Sequence, residues 1–262
     1  MKLKYLFPII ILFISCSSKE IVAFDHSYKH YAQLLQETVK DGLVDYKNIK
    51  ASLPSYDSTY ADFSSLDKGQ YKSFTREQKI AYMINAYNFY TIKAIVDHYP
   101  VKSIKNIKGV WDDLEFPVAG EKMTLDNIEH DILRKEFKEE RVHVAVVCAS
   151  ISCPELWDKP FLPDSLDAHL NLRAEAFARD SLRNSINFEK KEMKLSKILD
   201  WYSSDFKGKY DSDDVFPYLS GEKRSVANFI YQHLDDTTRQ KFKGKKMKVG
   251  HLGYDWNLNE QK

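Results

Sequence analysis

Residues Thr75-Arg76-Glu77-Gln78-Lys79-Ile80-Ala81-Tyr82-Met83-Ile84-Asn85-Ala86-Tyr87-Asn88 open a long helix. Thr75 and Gln78 have the spacing of a capping box, in which the hydroxyl and the side-chain amide satisfy opposite backbone donors. The helix is predicted to run to about His98, where Pro100 forbids continuation, with Ile80, Ile84, Tyr87, Thr91 and Ile95 as its packed stripe. Asn85 and Asn88 fall three apart on one face. Asparagine is unfavourable in mid-helix, so something outside the helix should compensate. Either the amides bind a substrate carbonyl or an oxyanion, or they satisfy the stranded backbone of a loop.

Around this helix the pattern is mixed. Residues 25–40 read as a helix ending near Gly42, followed by an extended Leu43-Val44-Asp45-Tyr46. Residues 116–123 read as a small hairpin, and Thr124 caps a helix with Leu125, Ile128 and Ile132 as its buried line. A further helix is expected from Ser165 to about Leu182, a second hairpin from Ile186 to Leu195, and a helix capped by Ser196. A last amphipathic helix follows from about Arg224 to Leu234. Helices exceed strands, and the strands do not alternate with helices in regular order. The expected class is therefore α+β, a mostly helical single domain with short strands and hairpins. No linker or internal repeat interrupts the 262 residues.

The first residues carry an address. Lys2 and Lys4 precede an apolar run from Tyr5 to Ile14, which has the length of a signal-peptide core rather than of a permanent span. Ser15-Cys16 places a small residue before a cysteine, as lipoprotein signal peptidase requires. Residues 1–15 are thus expected to be removed, Cys16 to carry lipid, residues 16–24 to form a tether and 25–262 the folded domain. The expected place is the cell envelope, anchored in the outer membrane, with the membrane itself as one partner. Lys and Arg number 39 against 38 Asp and Glu, so the balance asks for no nucleic acid. No cofactor is expected.

Residues 143–154, His-Val-Ala-Val-Val-Cys-Ala-Ser-Ile-Ser-Cys-Pro, read as a buried strand running into a cysteine at a helix mouth. Unpaired N–H groups and the helix dipole at such a position lower a thiol pKa. The chain thereby offers Cys153 as a nucleophile. A strand would carry His143 about 17 Å from Cys148. His130, with Arg134 one turn on and Asn127 one turn back, is on that geometry the better base. Asp205, at a helix end where a carboxylate is electrostatically unwelcome, should have a cationic partner, Lys197 or Arg134.

Asn85-Ala86-Tyr87-Asn88, Ile128-Glu129-His130 with Leu133-Arg134, His143 leading to Cys148, Ser152-Cys153-Pro154, Leu195-Ser196-Lys197-Ile198, Trp201-Tyr202 and Asp205-Phe206 occur in one order over about residues 70–210. In this the chain resembles the family called domain of unknown function 547. The resemblance implies an exported bacterial protein, of a family also found in plants on leucine-zipper segments. It implies no settled activity.

The chemistry expected from the residues is that of a cysteine hydrolase or acyltransferase acting on a peptide-like substrate. Cys153 and His130 would carry catalysis, and Asn85, Asn88, Arg134 and Ser152 would bind substrate. Histidine before cysteine reverses the order of papain-like enzymes, so a relation to them would be a permuted one. Two rivals stand beside this reading. Cys148 and Cys153 could form a disulfide pinning the loop between them, which would make the domain a binding or scaffold module for a protein partner. A metal site from His130, His143, Cys148 and Cys153 lacks the close ligand pair such sites use, and no metal is expected. Trp201, Tyr202 and Phe206 fall at helical spacing and read as core.

Overall fold

The computed structural model describes residues 23–262; the signal peptide expected over residues 1–15 and the expected lipidation site Cys16 lie outside them. Helix α1 (Lys29–Thr38) leads into a tight pair of strands, β1 (Val39–Lys40) and β2 (Leu43–Val44). Next come α2 (Tyr46–Lys50), α3 (Pro54–Ser65), α4 (Lys68–Ser73) and the long α5 (Arg76–His98). The capping box is present. Thr75 Oγ1 accepts from Gln78 N at 3.2 Å, and Gln78 Oε1 accepts from Thr75 N at 2.9 Å.

From Ile80 to Val96 every residue of α5 except Lys93 is buried, so the expected stripe is too narrow. A helix apolar all round is a core helix. Its polar atoms must then find partners inside the protein. Tyr82 Oη donates to Phe63 O at 3.1 Å and accepts from Ala119 N at 3.1 Å, while Tyr90 Oη donates to Pro117 O.

The hairpin β3 (Phe116–Val118) and β4 (Glu121–Met123) pairs antiparallel around Ala119-Gly120. Both turn residues have positive φ, 52° and 75°, as a two-residue hairpin turn demands. A Cβ on Gly120 would also come within 2.5 Å of Lys68 N, so glycine is doubly required there.

Asn127–Glu136 forms a π-helical segment, not the expected α-helix. It widens the turn, with Phe137 N donating to Ile132 O, five residues back, at 2.9 Å. The winding changes which side chains face inward. Ile128 and Leu133 are buried, Ile132 only partly, and Glu129 is turned inside. Thr124 still caps the start: its Oγ1 accepts from Asn127 N, and Asn127 Oδ1 accepts from Thr124 N, both at 3.1 Å.

The strand expected from His143 is absent. Residues Glu140–Val144 form a buried 3₁₀ turn, and 145–162 contain no helix or strand segment. Neither does Cys153 open a helix; the chain runs irregularly to a 3₁₀ turn at Pro163–Ser165 and then to α6 (Leu166–Arg179). An all-apolar run does not distinguish strand from buried coil by periodicity. Here the charged residues beside it decide. Arg141 is held by Glu139, Asp167 and Asn171 at 2.7 Å each, and Glu140 by Lys209 at 2.9 Å and Tyr210 Oη at 3.0 Å.

Beyond α6, β5 (Ser185–Asn187) and β6 (Glu192–Leu195) pair antiparallel. Helix α7 (Lys197–Trp201) is capped by Ser196, whose Oγ accepts from Ile198 N at 3.3 Å. Then α8 (Lys207–Tyr210), α9 (Gly221–Gln232) and α10 (Asp236–Gln240) lead to β7 (Lys248–His251), which adds parallel to β6. The apolar interior has two parts. One surrounds α5; the other packs α6, α7 and α9 on β6. The fold is thus the mostly helical α+β class expected, with sheets of two or three strands.

The irregular stretch 145–162 is tied to α5 by two asparagines. Asn85 Nδ2 donates to Phe161 O at 2.8 Å, and its Oδ1 accepts from Phe161 N at 2.9 Å. Asn88 does the same with Ala145 O at 2.9 Å and Val147 N at 2.8 Å. Replacing Asn88 by Ala strands a buried C=O and a buried N–H. The expected loss is about 3 kcal/mol of unfolding free energy, read by urea titration. Asn88→Asp, which keeps the acceptor but not the donor, should also destabilise.

Candidate functional site

A cavity of about 420 Å³ opens where the two cores meet. Its walls include residues from five places. Helix α5 supplies Tyr87, the π segment and its approach supply Asp126, Glu129 and His130, and the irregular stretch supplies Val146, Cys148 and Cys153 beside His143. Helix α7 and the residue after it supply Ile198, Trp201 and Tyr202; the C-terminal segment supplies Tyr254 and Trp256.

Cys148 and Cys153 are joined as a disulfide. Cys148 is half-buried and Cys153 is buried. The Cys153 sulfur receives two donors, Cys148 N at 2.9 Å and Tyr254 Oη at 3.2 Å. Burial pushes the Tyr254 hydroxyl up to about 12 despite the opposing hydrogen bond from Ser150, so it stays a donor at neutral pH. The loop is clamped from outside by Arg183, which donates to the Cys153 carbonyl and, at 3.0 Å, to Ile151 O. On the other side lies the C-terminal segment. Ile151 N donates to Asn257 O at 2.9 Å, and Ser152 exchanges bonds with Asp255, N to O at 3.2 Å and Asp255 N to Ser152 Oγ at 2.8 Å.

Asp205 organises the wall behind. His143 Nε2 lies 2.8 Å from Asp205 Oδ2, Arg134 Nε 2.6 Å from the same oxygen, and Arg134 Nη2 3.1 Å from Oδ1. Burial alone would raise the Asp205 carboxyl, but the hydrogen bonds from His143 and Arg134 outweigh it and hold the group well below the usual carboxylate range. Tyr202 is sandwiched. Its ring stacks on His143 with centroids 4.2 Å apart and an interplanar angle of 13°, and the Arg134 guanidinium sits 4.6 Å from its centroid. With Nε2–H given to a carboxylate, neutral His143 presents Nδ1 as its lone pair, and that atom is buried without a hydrogen-bond partner.

His130 is engaged differently. Arg134 Nη1 lies 3.0 Å from its Nδ1, and its Nε2 is 3.5 Å from Asp126 Oδ1. Its Nδ1 is therefore taken by Arg134, while its Nε2 has only the long contact to Asp126. The expected preference for His130 over His143 rested on an extended strand; the 3₁₀ turn and the loop after it bring His143 and both cysteines to one cavity instead. Glu129 is buried beside Tyr87 and Tyr202, whose hydroxyls are held well above their ordinary values by burial and then by the Glu129 carboxylate.

Of the four residues expected to bind substrate, none has a free group facing the cavity. Asn85 and Asn88 use both amide atoms on backbone, Ser152 is bonded to Asp255, and Arg134 is forked onto Asp205. The cationic partner expected for Asp205 is Arg134, not Lys197, which pairs with Asp200. Phe206 is core, as expected, but Trp201 is 45% exposed and lines the cavity. The sequence reading also passed over Trp111, Tyr254 and Trp256. The signal for the last two was present: Gly253-Tyr254-Asp255-Trp256-Asn257 sets aromatics in a turn-forming stretch with no periodicity to bury them. Among the described residues no three His, Cys, Asp or Glu side chains gather to hold a metal.

Residues 71–178 match the model of a family described as protein of unknown function, DUF547. The match supports that domain family for the segment carrying α5, the π segment and the cysteine loop. The Leu195–Phe206 motifs, with Asp205, lie beyond it. Comparison with curated proteins and with solved structures gives no match.

Asp205→Asn removes the charge that pairs Arg134 and orders His143, and should cost about 2 kcal/mol of unfolding free energy at neutral pH. Because the folded carboxyl titrates below its unfolded value, this contribution is complete above about pH 4 and is lost as the pH falls through the folded pKa. Urea titrations of parent and variant should therefore converge as the pH is lowered towards about 2. A gap constant with pH would contradict the linkage.

Proposed function

We propose that this chain is a cysteine-dependent hydrolase or acyltransferase acting on a peptide or amide bond, with Cys153 as nucleophile and His143, oriented by Asp205, as base. The observation carrying the reading is one shared cavity. Its wall holds a sulfur with two hydrogen-bond donors aimed at it, and an imidazole fixed through one nitrogen to a carboxylate with the other unpartnered.

The oxidised pair must first be reduced by two equivalents of an external thiol: the first forms a mixed disulfide on Cys148 and releases Cys153, and the second frees Cys148 as the two reductant thiols leave joined as their own disulfide. The buried sulfur is the better leaving group in that exchange, because Cys148 N–H and Tyr254 Oη–H stabilise its thiolate. In the reduced site His143 takes the Cys153 proton and the thiolate adds to the carbonyl carbon. The protonated imidazole then returns that proton to the departing amine. Water or a second amine discharges the thioester.

The disulfide itself favours a second reading, a non-catalytic binding or scaffold module in which the pair only pins its loop. The two readings separate in Cys148→Ser, which leaves Cys153 unpaired without reductant. Iodoacetamide should label that thiol rapidly at neutral pH, and His143→Gln in the same background should slow labelling about tenfold. Equal rates in the two variants would remove His143 as base and favour the pinned module.

We also infer that the protein sits in the cell envelope by a lipid on Cys16, from Lys2 and Lys4, the apolar run to Ile14 and Ser15-Cys16. Among the described residues no helix is long and apolar enough to cross a membrane, so an anchor of this kind would lie outside them. Cys16→Ala should move the protein from the membrane pellet to the soluble fraction of a cell lysate.

A further inference from the structure

The cavity has more in it than a thiol and an imidazole. Its lining includes Asp112, Asp126 and Glu129 but no lysine or arginine. Glu129 is buried beside Tyr87 and Tyr202. Asp126 is not buried in this way. Its side chain is 38% exposed and meets His130 at 3.5 Å, a long contact to a group that is charged only when protonated. Burial and then repulsion from Glu129, Asp112 and Asp131 push its carboxyl up, against the opposing pull of His130. A cation placed among these carboxylates would relieve that repulsion.

Two independent observations point the same way. His143 lines the cavity with a buried, unpartnered Nδ1, which in the tautomer that gives Nε2–H to Asp205 is an acceptor calling for an N–H group from the occupant. The same cavity is lined by a cluster of aromatic rings. Trp201 stacks on Trp256 at 5.8 Å and an angle of 24°, and Tyr254 lies 4.5 Å from Trp256 and 4.8 Å from Trp201. Ring faces attract ammonium groups, and the Trp256 ring already holds Lys105 Nζ at 5.1 Å. Trp201, packed on these two rings, still leaves 45% of its surface exposed.

We propose that the cavity selects a protonated primary amine on its peptide-like ligand, a free N-terminus or a lysine-type side chain, with Asp126 as counter-ion and the Trp201–Trp256 wall as its apolar face. A cavity of about 420 Å³ suits a ligand of dipeptide size. The inference rests on the cavity being a peptide-processing site but not on the thiol, so it is tested by binding to the oxidised full chain, where no acyl transfer to sulfur can occur.

Three of the four tryptophans, Trp111, Trp201 and Trp256, line the cavity, so intrinsic fluorescence reports occupancy. The probes are alanylalanine amide and its N-acetyl form, which differ in the charged amine. The free amine should bind about tenfold tighter, and in Asp126→Asn the two affinities should agree within about twofold. If Asp126→Asn does not fold, judged by its circular dichroism, Asp112→Asn on the exposed rim should narrow the gap in the parent's direction. Equal or better binding of the acetylated peptide overturns the proposal. So does a gap untouched by the variant that folds, or the absence of quenching by either peptide. A preserved amine preference together with unchanged Cys153 labelling in His143→Gln would instead keep the amine site and discard the hydrolase.

Discussion

An irregular stretch of backbone runs through the middle of this protein, and every peptide group in it that is cut off from water has to be paired. Residues 145–162 make no ladder or helix of their own, yet most are buried. Their partners are borrowed. Asn85 and Asn88 reach out from α5, Arg183 reaches in from beyond α6, and the C-terminal segment lies alongside. The long helix tolerates two asparagines in its interior because the loop repays their poor helix propensity in buried hydrogen bonds. The position of both cysteines follows from these ties.

Asp205 does for the two cores what the asparagines do for the loop. Its two oxygens gather Arg134 from the π segment and His143 from the 3₁₀ turn, while Phe206 beside it is buried in the second core. A single carboxylate thereby fixes the orientation of one histidine directly and of the other through Arg134. The π winding is part of the same arrangement. It turns Glu129 inward beneath Tyr87 and Tyr202, and wide turns of this kind occur often at functional sites.

What the sequence revealed and what it hid divide along physical lines. Local signals were legible: the Thr75–Gln78 capping box, the Ala119-Gly120 turn and the Ser196 cap each concern groups a few residues apart. So was the need of Asp205 for a cation, since an uncompensated carboxylate at a helix end is costly wherever it lies. The π winding was not legible, because Ile128 and Ile132 satisfy an α-helical period and only tertiary packing selects Leu133 in place of Ile132. Nor was the 3₁₀ turn at Glu140–Val144, where an apolar run invites a strand unless the partners of Arg141 and Glu140, about 26 to 70 residues away, are known. The ranking of the two histidines leaned on that strand, and without it both line the cavity beside the cysteines. Short elements such as α2, α4 and β7 carry too few residues for any period to emerge.

The segment carrying Tyr254 and Trp256 forms the cavity's last wall from far along the chain. Asp255 meets Ser152 across 103 positions, and Asn259 meets Tyr46 across 213. It also bridges Val44 and Ser150, so one strap buttresses the first hairpin and the cysteine loop together. Contacts of such separation are entropically expensive to close, whereas α1, α3 and α5 find one another within a short length of chain. On that ground the cavity is expected to close late in the maturation of the fold. Until the strap docks, the two thiols stand open to any oxidant or reductant in their surroundings, and the compartment in which folding finishes sets the redox state in which the site begins its life.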